Sequence, residues 1–100
     1  MRFVFDWDPG KAKRNRAKHK ISFEEAMTIF HDPMALTIYD DDHSADEDRW
    51  VTLGLSRSTR LLLVVHTHIE RSEDEILIRL ISARRPTQSE ARQYEQGIKP

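Results

Sequence analysis

The chain has 100 residues, a length that suits one domain, so we expect a single domain over residues 1–100. It has no cysteine, which excludes disulfides and thiolate chemistry, and its longest apolar run, residues 61–65, is too short to span a bilayer. The N-terminus lacks a signal-peptide pattern, so we expect a cytoplasmic protein with no membrane partner. The net charge of −1 conceals six basic residues within residues 11–20 and six acidic residues within residues 40–48.

The first two elements are predicted to be a strand and a basic helix. Residues 2–6 alternate in the manner of a strand with one apolar face. Asp8 and Pro9 suit the cap and the first turn of a helix, which we expect to run to about His19. Because this helix has only two alanines to bury, it must lie on the body through its long basic side chains or wait for a partner.

A second helix is predicted directly after the first. Ser22 and Glu25 form a capping-box pattern, in which each side chain bonds the backbone N–H of the other residue. The pair Asp32-Pro33 is expected to end the helix. The apolar residues at helical spacing, which we expect in the core, are Phe23, Ala26, Met27, Ile29 and Phe30.

The rest of the chain is rich in predicted strands. Short charged turns between these strands favour antiparallel pairing. Thr87 and Glu90 form a second capping box, which predicts a short C-terminal helix that contains Tyr94. The sequence therefore predicts an α+β fold with an antiparallel sheet of about four strands, two N-terminal helices and a short C-terminal helix. The strands are predicted at residues 36–39, 49–55, 60–69 and 75–83.

One face of the basic helix gathers side chains that suit phosphate. Cations neutralise phosphate, an amide bonds oxygens or bases, and histidine titrates near neutral pH. A solvated surface helix is the alternative, but no acidic residue compensates the bases here. The pattern favours binding of a polyanion. On a helical wheel the face consists of Lys11, Arg14, Asn15, Lys18 and His19.

Two arginines mark the last predicted strand. Arg79 lies within an apolar strand, so it either pairs with an acid or faces a cleft. Arg84 closes the strand, where a rigid element would support a functional side chain. A purely ion-paired role is equally compatible with both positions. Glu47 is either a structural partner or a base.

His66 and His68 lie two residues apart on a predicted strand and share a face. Two histidines at this spacing can ligate a metal, but no further ligands follow a known metal-binding pattern. Packing is the ordinary explanation for them. The three glycines are isolated, so no phosphate-binding loop is present. We predict neither a metal nor a cofactor.

Short segments in a family-like order and spacing extend over nearly the whole chain. They are Phe5-Asp6-Trp7-Asp8, Lys11, Asn15, Lys18-His19, Ser22-Phe23-Glu24-Glu25-Ala26, Phe30, Asp32-Pro33, Asp42-His43-Ser44, Glu47-Asp48-Arg49, Gly54, residues 78–84, Glu90 and Tyr94. Together they resemble the BrnT family of type II toxins. Members of that family usually have glycine after the Lys-His pair, where this chain has Lys20.

The resemblance implies a RelE-like fold and a ribonuclease that stops translation. It also implies a BrnA-like antitoxin as partner. That antitoxin would carry the DNA-binding part, so operator DNA would be contacted only through it, typically in a heterotetramer. The remaining implied partner is the RNA substrate.

The resulting hypothesis is metal-independent RNA cleavage, in which a ribose 2′-hydroxyl attacks the adjacent phosphorus. His19 is the acid–base candidate, and Arg79 and Arg84 are candidates to stabilise the developing charge. The residues expected to hold the RNA are Lys11, Arg14, Asn15 and Lys18.

Two alternatives remain open. The first is a non-catalytic interaction module whose basic helix docks an acidic partner protein. The second, direct DNA binding, is less favoured because nothing resembles a helix-turn-helix reading head and the charge is confined to one side.

Overall fold

The computed structural model describes residues 1–97. Two short 3-10 helices, Met27–His31 and Asp41–His43, lie among the longer elements. The strands and α-helices of this part of the chain are β1 (Arg2–Trp7), α1 (Pro9–His19), α2 (Phe23–Ala26), β2 (Leu36–Tyr39), β3 (Trp50–Leu55), β4 (Leu61–His66), β5 (Ile69–Glu70), β6 (Glu75–Arg84) and α3 (Gln88–Gln96).

Helix α1 begins and ends where the sequence predicts. The carboxylate of Asp8 accepts the N–H of Lys11 at 2.9 Å, and Pro9 occupies the first turn. Lys20 ends the helix with φ 60° and ψ 33°, a left-handed conformation, while its N–H bonds the carbonyl of Arg16 at 3.0 Å. These caps satisfy backbone groups that the helix itself leaves open.

The second helix is shorter than predicted. It is α-helical only over Phe23–Ala26 and continues as the 3-10 helix Met27–His31, a common way for a helix to tighten at its end. The Ser22 hydroxyl accepts the Glu25 N–H at 3.1 Å, as the capping box requires. The predicted return bond, from the Ser22 N–H to the Glu25 carboxylate, is wrong. That carboxylate instead binds Arg60 at 2.6 Å.

The sheet has the strand order β1-β6-β4-β3-β2, with the short β5 paired to β6. The antiparallel meander of β3, β4 and β6 is confirmed, and β1 joins β6 in parallel. The α+β class is confirmed, but the sheet has six strands instead of about four. The predicted strand at residues 60–69 is interrupted, since β4 ends at His66 and β5 pairs separately with β6.

The two faces of the sheet differ in what covers them. The face that carries Leu62, Val64 and Ile78, here called the core face, packs against α1, α2 and the first 3-10 helix. Gly54 allows this 3-10 helix to approach closely, because a Cβ there would lie 3.2 Å from Ile29. The other face, which carries Leu53, Leu63 and Val65, is here called the open face.

Helix α3 lies at one end of the open face. Both halves of its Thr87–Glu90 capping box are present, as predicted. The Tyr94 hydroxyl donates to the Asp32 carboxylate at 2.5 Å and ties α3 to the segment before β2. Asp32 also accepts the N–H of Leu55 at 2.8 Å, so one carboxylate joins three parts of the chain.

Candidate functional site

The predicted RNA-binding face of α1 divides into an inward and an outward part. Asn15 is only 7% exposed. Its amide nitrogen donates to the carbonyls of Ile21 (3.1 Å) and Ala83 (2.9 Å), and its oxygen accepts the Ala83 N–H (3.0 Å). Because β1 pairs with β6 only as far as Trp7, the Asn15 amide continues the hydrogen bonding along that edge of β6. Contrary to the prediction, Asn15 anchors α1 to the sheet and is not free to orient RNA.

The cations of α1 remain outward. Lys11, Arg14 and Lys18 are exposed, while His19, at the end of the helix, is half-buried. None of the six lysines and arginines in residues 11–20 forms an ion pair with another residue in the described part of the chain. The exposed surface of α1 therefore carries positive charge that no neighbouring acid neutralises.

A cavity with a volume of about 590 Å³ lies on the open face and is here called the open-face cavity. Seven aliphatic side chains form its floor, among them Leu53, Leu63 and Val65. Charged groups from the 40–49 segment, from the end of β6 and from α3 form its rim. Three of these groups, His43, Arg49 and Arg84, bring an imidazole and two guanidinium groups to one surface.

A β-bulge brings Arg84 to this surface. Val65 pairs with Ser82 while His66 pairs with Leu80, so β6 has an extra residue, Ile81, opposite the bond between Val65 and His66. Strict alternation would place Arg84 on the same face as Leu80, which is in the core. The bulge shifts the alternation by one, so that Ile81, Ser82 and Arg84 all line the open-face cavity.

His43 is held by an acidic neighbour at the rim. Its Nδ1 lies 3.0 Å from the Asp40 carboxylate. The loop closes on itself, because Ser44 Oγ bonds the carbonyl of Asp40 and accepts the N–H of Arg49 at 3.0 Å. The second nitrogen of His43, Nε2, has no protein partner among residues 1–97, and an imidazole oriented in this way can exchange a proton there.

Arg84 is fixed by a two-pronged ion pair with Glu90. The distances are 2.9 Å and 3.0 Å, and a further N–H of Arg84 reaches the Arg85 carbonyl at 3.1 Å. The bonds to Glu90 raise the pKa of Arg84, and bonds from Arg84 lower the pKa of Glu90. A guanidinium has five N–H groups, so two remain for an anion in the cavity.

The other two predicted catalytic residues lie elsewhere. Arg79 is exposed and pairs with Asp6 across the β1–β6 edge at 3.1 Å. Arg84 lies five positions further along β6, about 16 Å along a strand. Neither Arg79 nor His19 lines the open-face cavity. The structure therefore does not gather His19, Arg79 and Arg84 at that cavity.

Sequence reasoning gave no catalytic role to His43 and Arg49. Both lie in segments that carry the family resemblance, His43 within the acidic run and Arg49 directly after it, just before β3. A histidine among six acidic residues was the available signal, but only the folded loop shows that it lines the same cavity as Arg84. Glu47, the other residue considered in this segment, is exposed.

His66 belongs to the core. It is fully buried, and its Nδ1 must carry the proton because it lies 2.7 Å from the Thr67 carbonyl. Its Nε2 then accepts the hydroxyl of Thr52 at 2.7 Å, and Thr52 in turn accepts the hydroxyl of Thr37 at 2.8 Å. With both nitrogens bonded to protein, His66 has no lone pair for a metal. In residues 1–97 no group of three or more histidine or acidic side chains is arranged to hold one.

A family model described as "Ribonuclease toxin, BrnT, of type II toxin-antitoxin system" matches residues 7–90. The chain belongs to the BrnT toxin family. The matched range contains α1 and also His43, Arg49 and Arg84.

The crystal structure of the Brucella abortus ribonuclease toxin BrnT, at 1.1 Å resolution, is similar to this chain with a TM-score of 0.62 and 20% sequence identity. The similarity covers 88% of this chain and 100% of the Brucella chain, and at this identity it establishes the fold. A comparison with curated protein sequences gives no match. Within residues 1–97 the longest helix has 11 residues, and no helix combines the length and hydropathy needed to traverse a bilayer.

Proposed function

We propose that this BrnT-family chain is an endoribonuclease that cuts RNA at the open-face cavity. The observation that carries the proposal is the meeting of His43, Arg49 and Arg84 on one concave surface. An imidazole supplies proton transfer near neutral pH, and guanidinium groups supply charge for a phosphorane-like transition state. The family membership supplies the reaction class.

The chemistry is an internal transphosphorylation. The ribose 2′-oxygen bonds to the adjacent phosphorus as its proton leaves, and the bond from phosphorus to the 5′-oxygen breaks as that oxygen gains a proton. His43 is positioned for one of these proton transfers, with Asp40 fixing the ring. Arg84, held by Glu90, directs its remaining N–H groups at the phosphate oxygens.

Helix α1 packs against the core face, across the sheet from the open-face cavity, so it holds RNA at a distance from the cut. Its exposed Lys11, Arg14 and Lys18 have no acidic partners among residues 1–97. RNA phosphates can therefore bind these side chains without displacing an ion pair. Asn15 is left out of this role because its amide is fully engaged. The prediction that His19 and Arg79 act in catalysis stays a rival arrangement, centred on the end of α1 and the β1 edge.

The proposed reaction needs no metal, since protein groups supply both the proton transfers and the positive charge. Purified chain, freed of any partner protein, is expected to cut RNA in the presence of EDTA and to leave 2′,3′-cyclic phosphate ends, as read by end-group analysis. Complete inhibition by the chelator would contradict the metal-free mechanism. No cleavage in any condition would favour the non-catalytic module, in which α1 docks an acidic protein.

The same proposal extends to the cellular setting. Cleavage of RNA would stop translation in the cytoplasm. A BrnA-like antitoxin would neutralise the chain in a heterotetramer, and the antitoxin part of that complex would contact operator DNA. Co-expression with a BrnA-like antitoxin is expected to abolish the growth arrest that the chain causes, and size-exclusion chromatography with light scattering measures the stoichiometry.

A further inference from the structure

The open-face cavity contains two uncharged polar side chains that the cleavage chemistry does not use. Ser82, beside the bulge in β6, and Gln93, on α3, both line the cavity and are half-buried. Neither side chain has a hydrogen-bond partner among residues 1–97, whereas their charged neighbours Arg84 and Glu90 bond each other. The cavity therefore offers free donors and acceptors apart from its cations.

The floor below these groups suits a nucleobase better than a phosphate. Its seven aliphatic side chains give a phosphate nothing to bond, but they can cover the flat face of a base. Tyr39 adds an aromatic ring at the rim. That ring is fixed in place, with its hydroxyl 2.8 Å from Asp48 and its edge against Trp50 at 5.2 Å between ring centroids. RNA-binding proteins use such rings to stack unpaired bases.

Gln93 lies on a helix that is fixed at two points. On α3 it lies between Glu90, which is bonded to Arg84, and Tyr94, which is bonded to Asp32 at 2.5 Å. A glutamine amide presents one donor beside one acceptor, and an unpaired base offers a matching pair on its exposed edges, such as N7 and N6 of adenine or O6 and N1 of guanine. The position of the amide relative to the bound base therefore determines which base is matched.

We propose that Gln93 and Ser82 form a base-reading subsite that selects the base next to the scissile phosphate. The inference rests on the proposed ribonuclease function, because it takes the ligand of the open-face cavity to be RNA. It adds a sequence preference and the residues that determine it. The aliphatic floor and Tyr39 hold the base, and Gln93 chooses which base is held.

The test separates binding from cleavage by using fluorescent 2′-O-methyl oligonucleotides, in which the attacking hydroxyl is blocked. They carry uridine throughout except for one variable base, and anisotropy measures their affinity at constant salt. The wild-type chain is expected to bind one of the four oligonucleotides most tightly, because Gln93 matches one base better than the others. Gln93→Ala should reduce that preference by at least roughly fivefold. Ser82→Ala should reduce it by less, and the control Gln96→Ala, at an exposed position of the same helix, should preserve it.

Equal wild-type affinity for all four bases overturns the inference, as does an unchanged base preference in Gln93→Ala. Cleavage of unmodified RNA is then measured with the same proteins. A chain that prefers one base through Gln93 but does not cut RNA contradicts the ribonuclease proposal and supports the subsite. A chain that cuts RNA at the open-face cavity without any base preference does the reverse.

Discussion

At position 20 a lysine adopts the left-handed conformation that usually favours glycine. Its φ of 60° brings Cβ close to the following carbonyl, so Lys20→Gly is expected to raise the free energy of unfolding by about 1 kcal/mol. Urea unfolding measures the change. Lys18→Gly, inside the same helix, should lower stability by about 1 kcal/mol, so equal effects of the two substitutions would refute the strain at Lys20.

Asn15 illustrates how one side chain can join two elements. Asn15→Asp preserves its shape but removes both donors, leaving the carbonyls of Ile21 and Ala83 without their partner. We expect a loss of about 3 kcal/mol, because unpaired buried groups cost about 1–3 kcal/mol each. The matched exchange Gln96→Glu, at an exposed helical position, should change stability by less than about 0.5 kcal/mol. Similar values for both variants would show that Asn15 is not an anchor.

The sequence predicted α1 and its caps but not the direction of Asn15. A helical wheel groups residues by angle, and it cannot say which angle faces the sheet when no apolar stripe marks it. Asn15 faces inward because the end of β1 at Trp7 leaves backbone groups of β6 open, which only the folded topology reveals.

Helix α3 depends on a few polar contacts at the scale of elements. Burial and the bond to Asp32 raise the pKa of Tyr94 to about 12, so the hydroxyl stays protonated and donates at neutral pH. Tyr94→Phe removes that donor and is expected to cost about 1.5–3 kcal/mol. Hydrogen exchange should rise in α3 more than in α1. Tyr39→Phe, which removes an exposed Tyr–Asp bond, is the control, and equal exchange in α3 for both variants would contradict this role of Tyr94.

The strands show why the site was harder to predict than the fold. Apolar runs and polar turns were sufficient to place β3, β4 and β6 and to pair them antiparallel. The bulge at Ile81 left no mark in the sequence, because Ile81 fits a strand whether or not it is bulged. Without the bulge, Arg84 would be assigned to the core face. Its position at the same cavity as His43 therefore depends on the register between β4 and β6.

At the scale of the whole molecule, the buried His66 and the half-buried Glu25 set the response to acid. Burial lowers the pKa of His66 from 6.5 to about 4. Bonds from Arg60, Ser58 and Ser56 lower the pKa of Glu25 from 4.5 to about 2. Both folded values lie below the unfolded ones, so the unfolded chain binds more protons in acid. The contribution of His66 to the free energy of unfolding is complete above pH 6.5 and is lost as the pH falls through 4. The contribution of Glu25 is lost at lower pH, between 4.5 and 2.

The free energy of unfolding is therefore expected to fall by about 2–3 kcal/mol between pH 7 and pH 4.5, chiefly through His66. Urea titrations at a series of pH values measure the slope. His66→Gln, which preserves hydrogen bonding without a titrating ring, should flatten this part of the profile. An equally steep profile in His66→Gln would assign the acid response to other groups.

The chemistry itself is located most directly by comparing three histidines as catalysts. His43→Ala, His19→Ala and the exposed control His31→Ala are assayed with one RNA substrate under identical conditions, after circular dichroism has shown that each variant is folded. If the open-face cavity is the active site, His43→Ala lowers kcat/KM by about 100-fold or more, and His31→Ala leaves it unchanged. Full activity in His43→Ala, with the loss found in His19→Ala instead, would contradict the account and place catalysis at the end of α1.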